Sequence, residues 1–384
     1  MKNKKYGLLL KTGDAEMRAL GQLKKEFHKD FLPIVEITRG RKLRGVNQWP
    51  IQGRLNKLYE IFGGGDGVCI DLTSSEQLSC DEIKELYDPN NGYEKWRNFT
   101  EKVEQDGAFF NIIPCVLANF NDESFIENYS LQVEKFVEKY PKIAYRSSLK
   151  DDGCYDDFSV IKPFLREKEQ LICIIDCEYI TSGGWRSFSE RVIARINNTV
   201  NLLGDKVTFI ICSTSFPNNV SEIGNDISDT FHLNEVDLFE NVKNNIDKAI
   251  SIIYGDYGSI NPIRNDDITM ARGWVPRIDV PLPNLIFYYR ERRGNKEEYV
   301  PRFTLAGKSN NKAPKEDYSV VYTRVAKAVI KDRRFPNSLM ANWGINQILV
   351  CADGASPGSN PSFWISVRMN IHIQQQINRL KNIK

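Results

Sequence analysis

Eight short apolar runs recur along this chain, and most of them stop at a charged residue. They are Tyr6 to Lys11, Phe31 to Ile37 with Glu36 near its end, GVCID closing on Asp71, a looser run over 109–119, KIAYR closing on Arg146, Leu171 to Tyr179 with Asp176 and Glu178, another looser run over 207–215, and SIIYGD closing on Asp256. Runs of this length between turn signals read as buried strands. The stretches between them carry apolar residues at helical spacing, as in Tyr129, Val133, Phe136 and Tyr140. Strands that alternate with helices imply a parallel sheet, because each parallel connection needs a crossover. Two architectures remain: a (β/α)8 TIM-like barrel and a doubly wound open sheet. Charged residues at so many strand ends favour the barrel, which gathers the carboxyl ends of all its strands on one face, whereas an open sheet concentrates its ligands at one switch point.

Size and composition limit what those strands can build. The 384 residues allow one large α/β domain with an appendage, or two ordinary domains. The make-up is that of a water-soluble globular chain, 41% hydrophobic and 27% charged, and a net charge of +2 does not by itself demand a polyanionic partner. No apolar run is long enough to span a bilayer, and MKNKKYGLLLKTGDAE turns charged too soon for a secretory signal, so a cytoplasmic protein is expected. The eight cysteines are scattered, several within strands, and are expected to be reduced packing residues; Cys173 and Cys177 lack zinc spacing.

The pattern assigns residues 1–256 to the strands and helices of the barrel. An irregular segment follows over 257–316, holding a β-hairpin insertion that turns around Arg293, Gly294 and Asn295. Helices over 317–384 complete and cap the barrel, the first of them as a delayed eighth barrel helix.

The chemistry is sought at the strand ends. If the registers match, Lys11, Glu36, Asp71, Arg146, Asp176 and Asp256 converge in the mouth. The carboxylates Glu36, Asp71, Asp176 and Asp256 would suit Mg²⁺ or Mn²⁺, with the two cations stabilising a phosphoryl group. The opposing reading is that these charges simply pair, since unpaired buried charge is costly. Ser213, Ser215 and Gly255 after the last two strands, with Arg39 and Arg368, are candidate phosphate contacts. A GDYG turn is equally an ordinary exit from a strand. His372 stands four residues from Arg368 on the last helix and is a candidate acid or base at the mouth, or else a packed helix histidine. The basic clusters Arg39, Arg41, Lys42, Arg44 and Arg290, Arg292, Arg293 can meet phosphates or an acidic partner. There is no Walker A loop, and GGGDG at 63–67 precedes a strand, so it fails the dinucleotide fingerprint.

The opening, with tyrosine and lysine flanking an apolar run, then GDAEMRAL, PIVEI, GDYG at 255–258 and the closing Arg368, Asn370, His372 motif, resembles the beta protein family of phages and bacteria over nearly the whole chain. The resemblance implies a role in anti-phage defence and transfers no catalytic role; Ile371 stands where a second histidine would be expected. Two classes of function follow. One is an enzyme hydrolysing a nucleotide or nucleic-acid phosphoester at the mouth. The other is a non-catalytic sensor that binds a phage protein or small ligand and signals to a partner protein.

Overall fold

The computed structural model describes residues 4–109, 111–218, 226–263, 273–295 and 314–382. Each of the eight apolar runs becomes a strand of one parallel sheet. In chain order the elements are β1 (Tyr6–Lys11), α1 (Asp14–Gly21), β2 (Phe31–Ile37), α2 (Gln52–Phe62), β3 (Val68–Leu72), α3 (Asp81–Leu86), α4 (Asn90–Asp106), β4 (Ile112–Pro114), α5 (Phe125–Lys139), β5 (Ile143–Ser148), α6 (Cys154–Ile161), β6 (Leu171–Tyr179), α7 (Trp185–Leu203), β7 (Val207–Thr214), β8 (Ser228–His232), α8 (Asn234–Asn245) and β9 (Ile252–Asp256). The sheet order is β4-β3-β2-β1-β9-β7-β6-β5. Its two outer strands meet at one parallel bridge, Cys115 to Ala144, where the Val116 N–H donates to the Ala144 carbonyl at 2.8 Å. An eight-stranded, all-parallel, nearly closed barrel-like sheet results.

Local sequence explains these elements. β2 is buried along its whole length, as a strand covered on both faces must be. In α7 the buried residues Ser189, Val192, Ile196, Thr199 and Leu203 recur every three or four positions and form one face. Gly204, at φ 67°, then takes a positive-φ backbone conformation that glycine accommodates, and the helix stops.

Alternation along the strands sends one set of side chains into the lumen, where Leu9, Ile34, Cys69, Ala144, Ile174 and Ile210 belong to a single buried cluster. Gly7 and Gly255 face each other in register on β1 and β9. A Cβ at either would lie 2.8 Å from the Ile210 Cγ2, so both positions stay open for the isoleucine. At Gly255 a Cβ would also come within 2.9 Å of the Ile211 carbonyl oxygen, which cannot retreat. Alanine at either position is therefore expected to cost about 1–3 kcal/mol through overpacking. In a double-mutant cycle, Ile210→Ala should absorb the cost of Gly7→Ala but not that of Gly255→Ala. Equal rescue at the two glycines in urea unfolding would show that Ile210 is not the obstacle.

The chain divides into two units. The first, Met1–Asn218, Leu233–Ile263 and Gln376–Lys384, carries the barrel-like sheet. The second, Asn219–His232 and Arg264–Gln375, contains β10 (Arg277–Pro281), β11 (Leu285–Arg290), α9 (Tyr318–Lys331), α10 (Trp343–Ala352) and most of α11 (Pro361–Asn382). This differs from the expected partition. The 318–331 helix belongs to the second unit and is no delayed barrel helix. The hairpin turns at 282–284, where Pro283 and Asn284 supply the turn chemistry, ahead of the expected Arg293 to Asn295. The strand expected after Asn295 falls outside the described residues. β8, in a stretch expected to be a polar loop, pairs with β11 to complete an antiparallel sheet of order β10-β11-β8. One face of that sheet, with Ile278, Val280 and Phe287, packs into a core with Val321, Ile348 and Val367. No described helix is long and apolar enough to cross a membrane.

Candidate functional site

Five strands each deliver one charged side chain to the carboxyl end of the lumen. The parity is set two residues earlier: Leu9, Ile34, Cys69, Ala144 and Ile174 point inward, so Lys11, Glu36, Asp71, Arg146 and Asp176 do as well. Arg146 on β5 is the hub. Its Nη1 donates to Glu36 Oε2 at 2.9 Å and to Asp71 Oδ2 at 3.0 Å, and its Nε donates to Asp176 Oδ2 at 3.0 Å. Its Nη2 lies 2.8 Å from the same Asp176 oxygen. Lys11 Nζ sits 3.6 Å from Glu36 Oε1 and donates to the Pro262 carbonyl at 3.0 Å.

The remaining carboxylate oxygens are also engaged. Asp71 Oδ1 accepts the Leu72 N–H at 2.8 Å, and Asp176 Oδ1 accepts the Glu178 N–H at 2.9 Å together with the Tyr257 hydroxyl. The Thr73 hydroxyl also favours the charged form of Glu36. Burial alone would raise the carboxyl of Glu36, but Arg146 and Lys11 outweigh it and hold its pKa below the usual value. For Asp71 burial wins: its pKa is raised, with Glu36 adding to the upward push against Arg146. Burial disfavours the charge on Arg146, yet Asp176 and Glu36 more than compensate, so its pKa rises well above the ordinary value. Burial, reinforced by Asp176, likewise raises Tyr257, which keeps its proton and can donate it in the hydrogen bond.

Asp256 does not join this group. It neighbours Leu8 in register, one residue out of phase with the lumen set, and Tyr257 takes the inward position next to it. Strand alternation is the reason: a one-residue offset sends a side chain to the opposite face. Asp256 instead accepts the Tyr6 hydroxyl at 2.7 Å, the Tyr254 hydroxyl at 2.9 Å and the Gly258 N–H at 2.8 Å, fully buried on the outer face.

The expected phosphate contacts are dispersed as well. Ser213 is buried as the register partner of Asp256. The Ser215 hydroxyl donates to Glu235 and accepts the Asn234 N–H at 2.7 Å, tying down the start of α8. Gly255 is a packing position against Ile210. Arg39 lies outside the lumen, with its guanidinium 5.2 Å from the Trp49 ring centroid.

Arg368 and His372 belong to the second unit, both buried. Arg368 Nη1 donates to Asp279 Oδ2 at 3.1 Å, while Arg277 binds the other oxygen of the same carboxylate through Nε at 2.7 Å. The Arg277 guanidinium also stacks 3.6 Å from the Tyr288 ring centroid. Burial pushes Arg368 down to about 10 against the pull of Asp279. For Asp279, burial is outweighed by Arg277 and Arg368, and its pKa is lowered. Arg277 and Asp279 went unrecognised in the sequence, although the polar and apolar alternation of Arg277-Ile278-Asp279-Val280 was a readable strand signal. Tyr257 and Thr73 were missed too, because neither carries a charge.

Glu36, Asp71 and Asp176 are oxygen ligands of the kind Mg²⁺ or Mn²⁺ prefers. As folded, however, the three converge on the guanidinium of Arg146, and their other oxygens hold N–H and O–H donors. Among the described residues no three acidic, histidine or cysteine side chains are arranged to hold a metal ion. The set does not fit a resident divalent ion, because an arginine stands where that ion would be.

A parallel barrel-like sheet with charges from five strands gathered at one end defines an α/β protein with a strand-end site. The chain belongs to the Beta protein family, which matches residues 6–378. It is 27% identical over 386 aligned positions to Protein beta of Enterobacteria phage P4, covering 98% of this chain and 93% of that protein.

Proposed function

We propose that the sheet is a (β/α)8 TIM-like barrel whose mouth hydrolyses a phosphoester or nucleotide, and that this activity serves anti-phage defence in the cytoplasm. The observation that carries the reading is which charges face solvent. The side chains of Arg146 and Lys11 are 20% and 15% exposed, whereas those of Glu36, Asp71 and Asp176 are 5%, 10% and 7% exposed. An incoming solute meets the two cations first, and an anion is what they bind.

In this reading Arg146 and Lys11 hold the phosphoryl oxygens. Water adds to phosphorus as the bond to the leaving oxygen breaks. Asp71, whose protonated form is favoured by burial, gives a proton to the leaving oxygen, and Glu36, held in its charged form by Arg146 and Lys11, takes the proton of the water. Asp71→Asn is expected to lower turnover of a nucleotide or aryl phosphodiester by about 10²- to 10⁴-fold. Turnover is read per folded molecule, because asparagine keeps only one of the two acceptor oxygens that the Leu72 N–H and Arg146 Nη1 use, while it also removes a cost of ionisation. A carboxyl raised above its unfolded pKa costs stability once pH exceeds the unfolded value, and asparagine removes that cost. Wild-type turnover should fall as pH rises through the raised Asp71 value. Wild-type turnover in the Asp71→Asn protein would remove Asp71 as the acid.

A recognition module is the second reading, and full engagement of the carboxylates by Arg146 favours it. In that case an anion binds without turnover, and Asp71→Asn leaves phage resistance in a plaque assay unchanged.

A further inference from the structure

The loop between β2 and α2 projects as a finger. Its two legs are joined by the Gly40 N–H to the Trp49 carbonyl at 3.3 Å and the Leu43 N–H to the Gln48 carbonyl at 2.9 Å. A Cβ at Gly40 would lie 1.9 Å from the Pro50 carbonyl oxygen, so the base of the finger closes only around glycine. Residues 41–48 are exposed, including Leu43 at 44% and Val46 at 47%. The Arg39 guanidinium and the Lys42 ammonium both lie against the Trp49 ring, 5.2 and 5.1 Å from its centroid, which orients the two cations on one aromatic platform.

Charge balance separates this finger from an ordinary solvated face. Asp14 takes up Arg41, at 2.8 Å, and also Arg54. Among the described residues Arg39, Lys42 and Arg44 form no ion pair, so three cations within six residues stay unneutralised in a chain with 52 basic and 50 acidic residues. Arg39 follows Glu36 by three residues, which places the root of the finger at most about 10–11 Å along the chain from the mouth. Several unneutralised cations beside an aromatic and exposed apolar side chains suit a strand with repeating phosphates and stackable bases.

We infer that the 39–49 finger binds single-stranded nucleic acid beside the barrel mouth, making the phosphoester a polynucleotide strand. The choice of substrate rests on the hydrolase reading, but the binding does not, and it is tested without turnover. The probe is a fluorescein-labelled oligothymidylate, titrated with the full chain by anisotropy over a range of salt concentrations. Wild type should bind it in preference to thymidine monophosphate. The Lys42→Ala/Arg44→Ala protein should lose about 25-fold in affinity at 0.1 M salt, and its log K against log salt slope should flatten by about 1.4, at about 0.7 per lost phosphate contact. Its thermal midpoint should stay unchanged, since both side chains are exposed. Oligothymidylate binding without hydrolysis would leave the finger standing and overturn the catalytic reading. Hydrolysis together with unaltered oligothymidylate affinity in the double variant overturns the finger and leaves the mouth standing. Loss of affinity for a polyglutamate peptide with no loss for oligothymidylate would overturn the assignment in favour of an acidic protein.

Discussion

Replacing Arg146 with methionine is expected to lower the stability of the barrel unit by about 3–5 kcal/mol at neutral pH. The guanidinium is the shared partner of Glu36, Asp71 and Asp176, and its loss leaves three carboxylates in a largely buried place with Lys11 as the nearby cation. The sign of the pH dependence identifies the cause. In wild type the Glu36 pKa is lowered, so its contribution is complete above the unfolded value of about 4.3 and is lost as pH falls through the folded value. In the variant burial acts without Arg146 and the carboxyls move upward. Their penalty then applies above the raised values and disappears as pH drops below the unfolded ones. The gap between the two proteins should therefore be widest near pH 7 and narrow toward pH 4 in urea titrations. A gap that is constant with pH would mean that Arg146 contributes packing and no charge pairing. Arg146→Lys should fall between the two, because an ammonium cannot present a planar fork to three carboxylates.

In the second unit, Asp279→Asn is expected to cost a similar amount, about 3–5 kcal/mol, since Asp279 is the carboxylate that Arg277 and Arg368 share within β10 and α11. Arg368→Met should cost less, because Asp279 keeps Arg277 as its partner at 2.6 Å. The lowered Asp279 pKa means that its stabilisation is present above the unfolded value of about 3.9 and is lost as pH falls through the folded value. Wild type and Asp279→Asn should thus converge in strong acid. If Arg368→Met proves the more damaging change in chemical unfolding, the carboxylate is not the centre of the cluster.

The parts of this protein legible in its sequence are those where a local pattern and the tertiary outcome agree. Tyr6 to Lys11 and Phe31 to Ile37 are apolar runs bounded by polarity, and they are strands over those residues. Lys11, Glu36, Asp71, Arg146 and Asp176 are legible together because each stands at or near the end of such a run. Asp256 closes one too, and faces the other way. Its run, Ile252-Ile253-Tyr254-Gly255, has no polar alternation from which to read a face, so the direction comes from pairing with β1 and β7. That Gly7 and Gly255 lie side by side was the available hint to this parity, and it is visible only once the strands are paired. β8 escaped notice because Ser228-Asp229-Thr230-Phe231-His232 is polar and becomes a strand by pairing with β11, more than fifty residues later. Local propensity does not carry that information. His372 and Arg368 are legible as a motif on one helix, but helix spacing says nothing about the unit in which that helix is buried.

Seven of the eight joints around the sheet are ladders of main-chain hydrogen bonds, while among the described residues β4 and β5 meet at the single Cys115 to Ala144 bridge. Arg146 stands on β5, and two of its carboxylate partners, Asp71 and Glu36, stand on β3 and β2, beyond that thin joint. The same side chain that receives the ligand in the proposed reaction is therefore also a clasp across the ring. An anion that draws the guanidinium toward itself loosens the clasp, so occupancy of the mouth and tightness of the wall are mechanically opposed. If the mouth binds an anion as proposed, its arrival would be felt as slack in the circumference of the sheet.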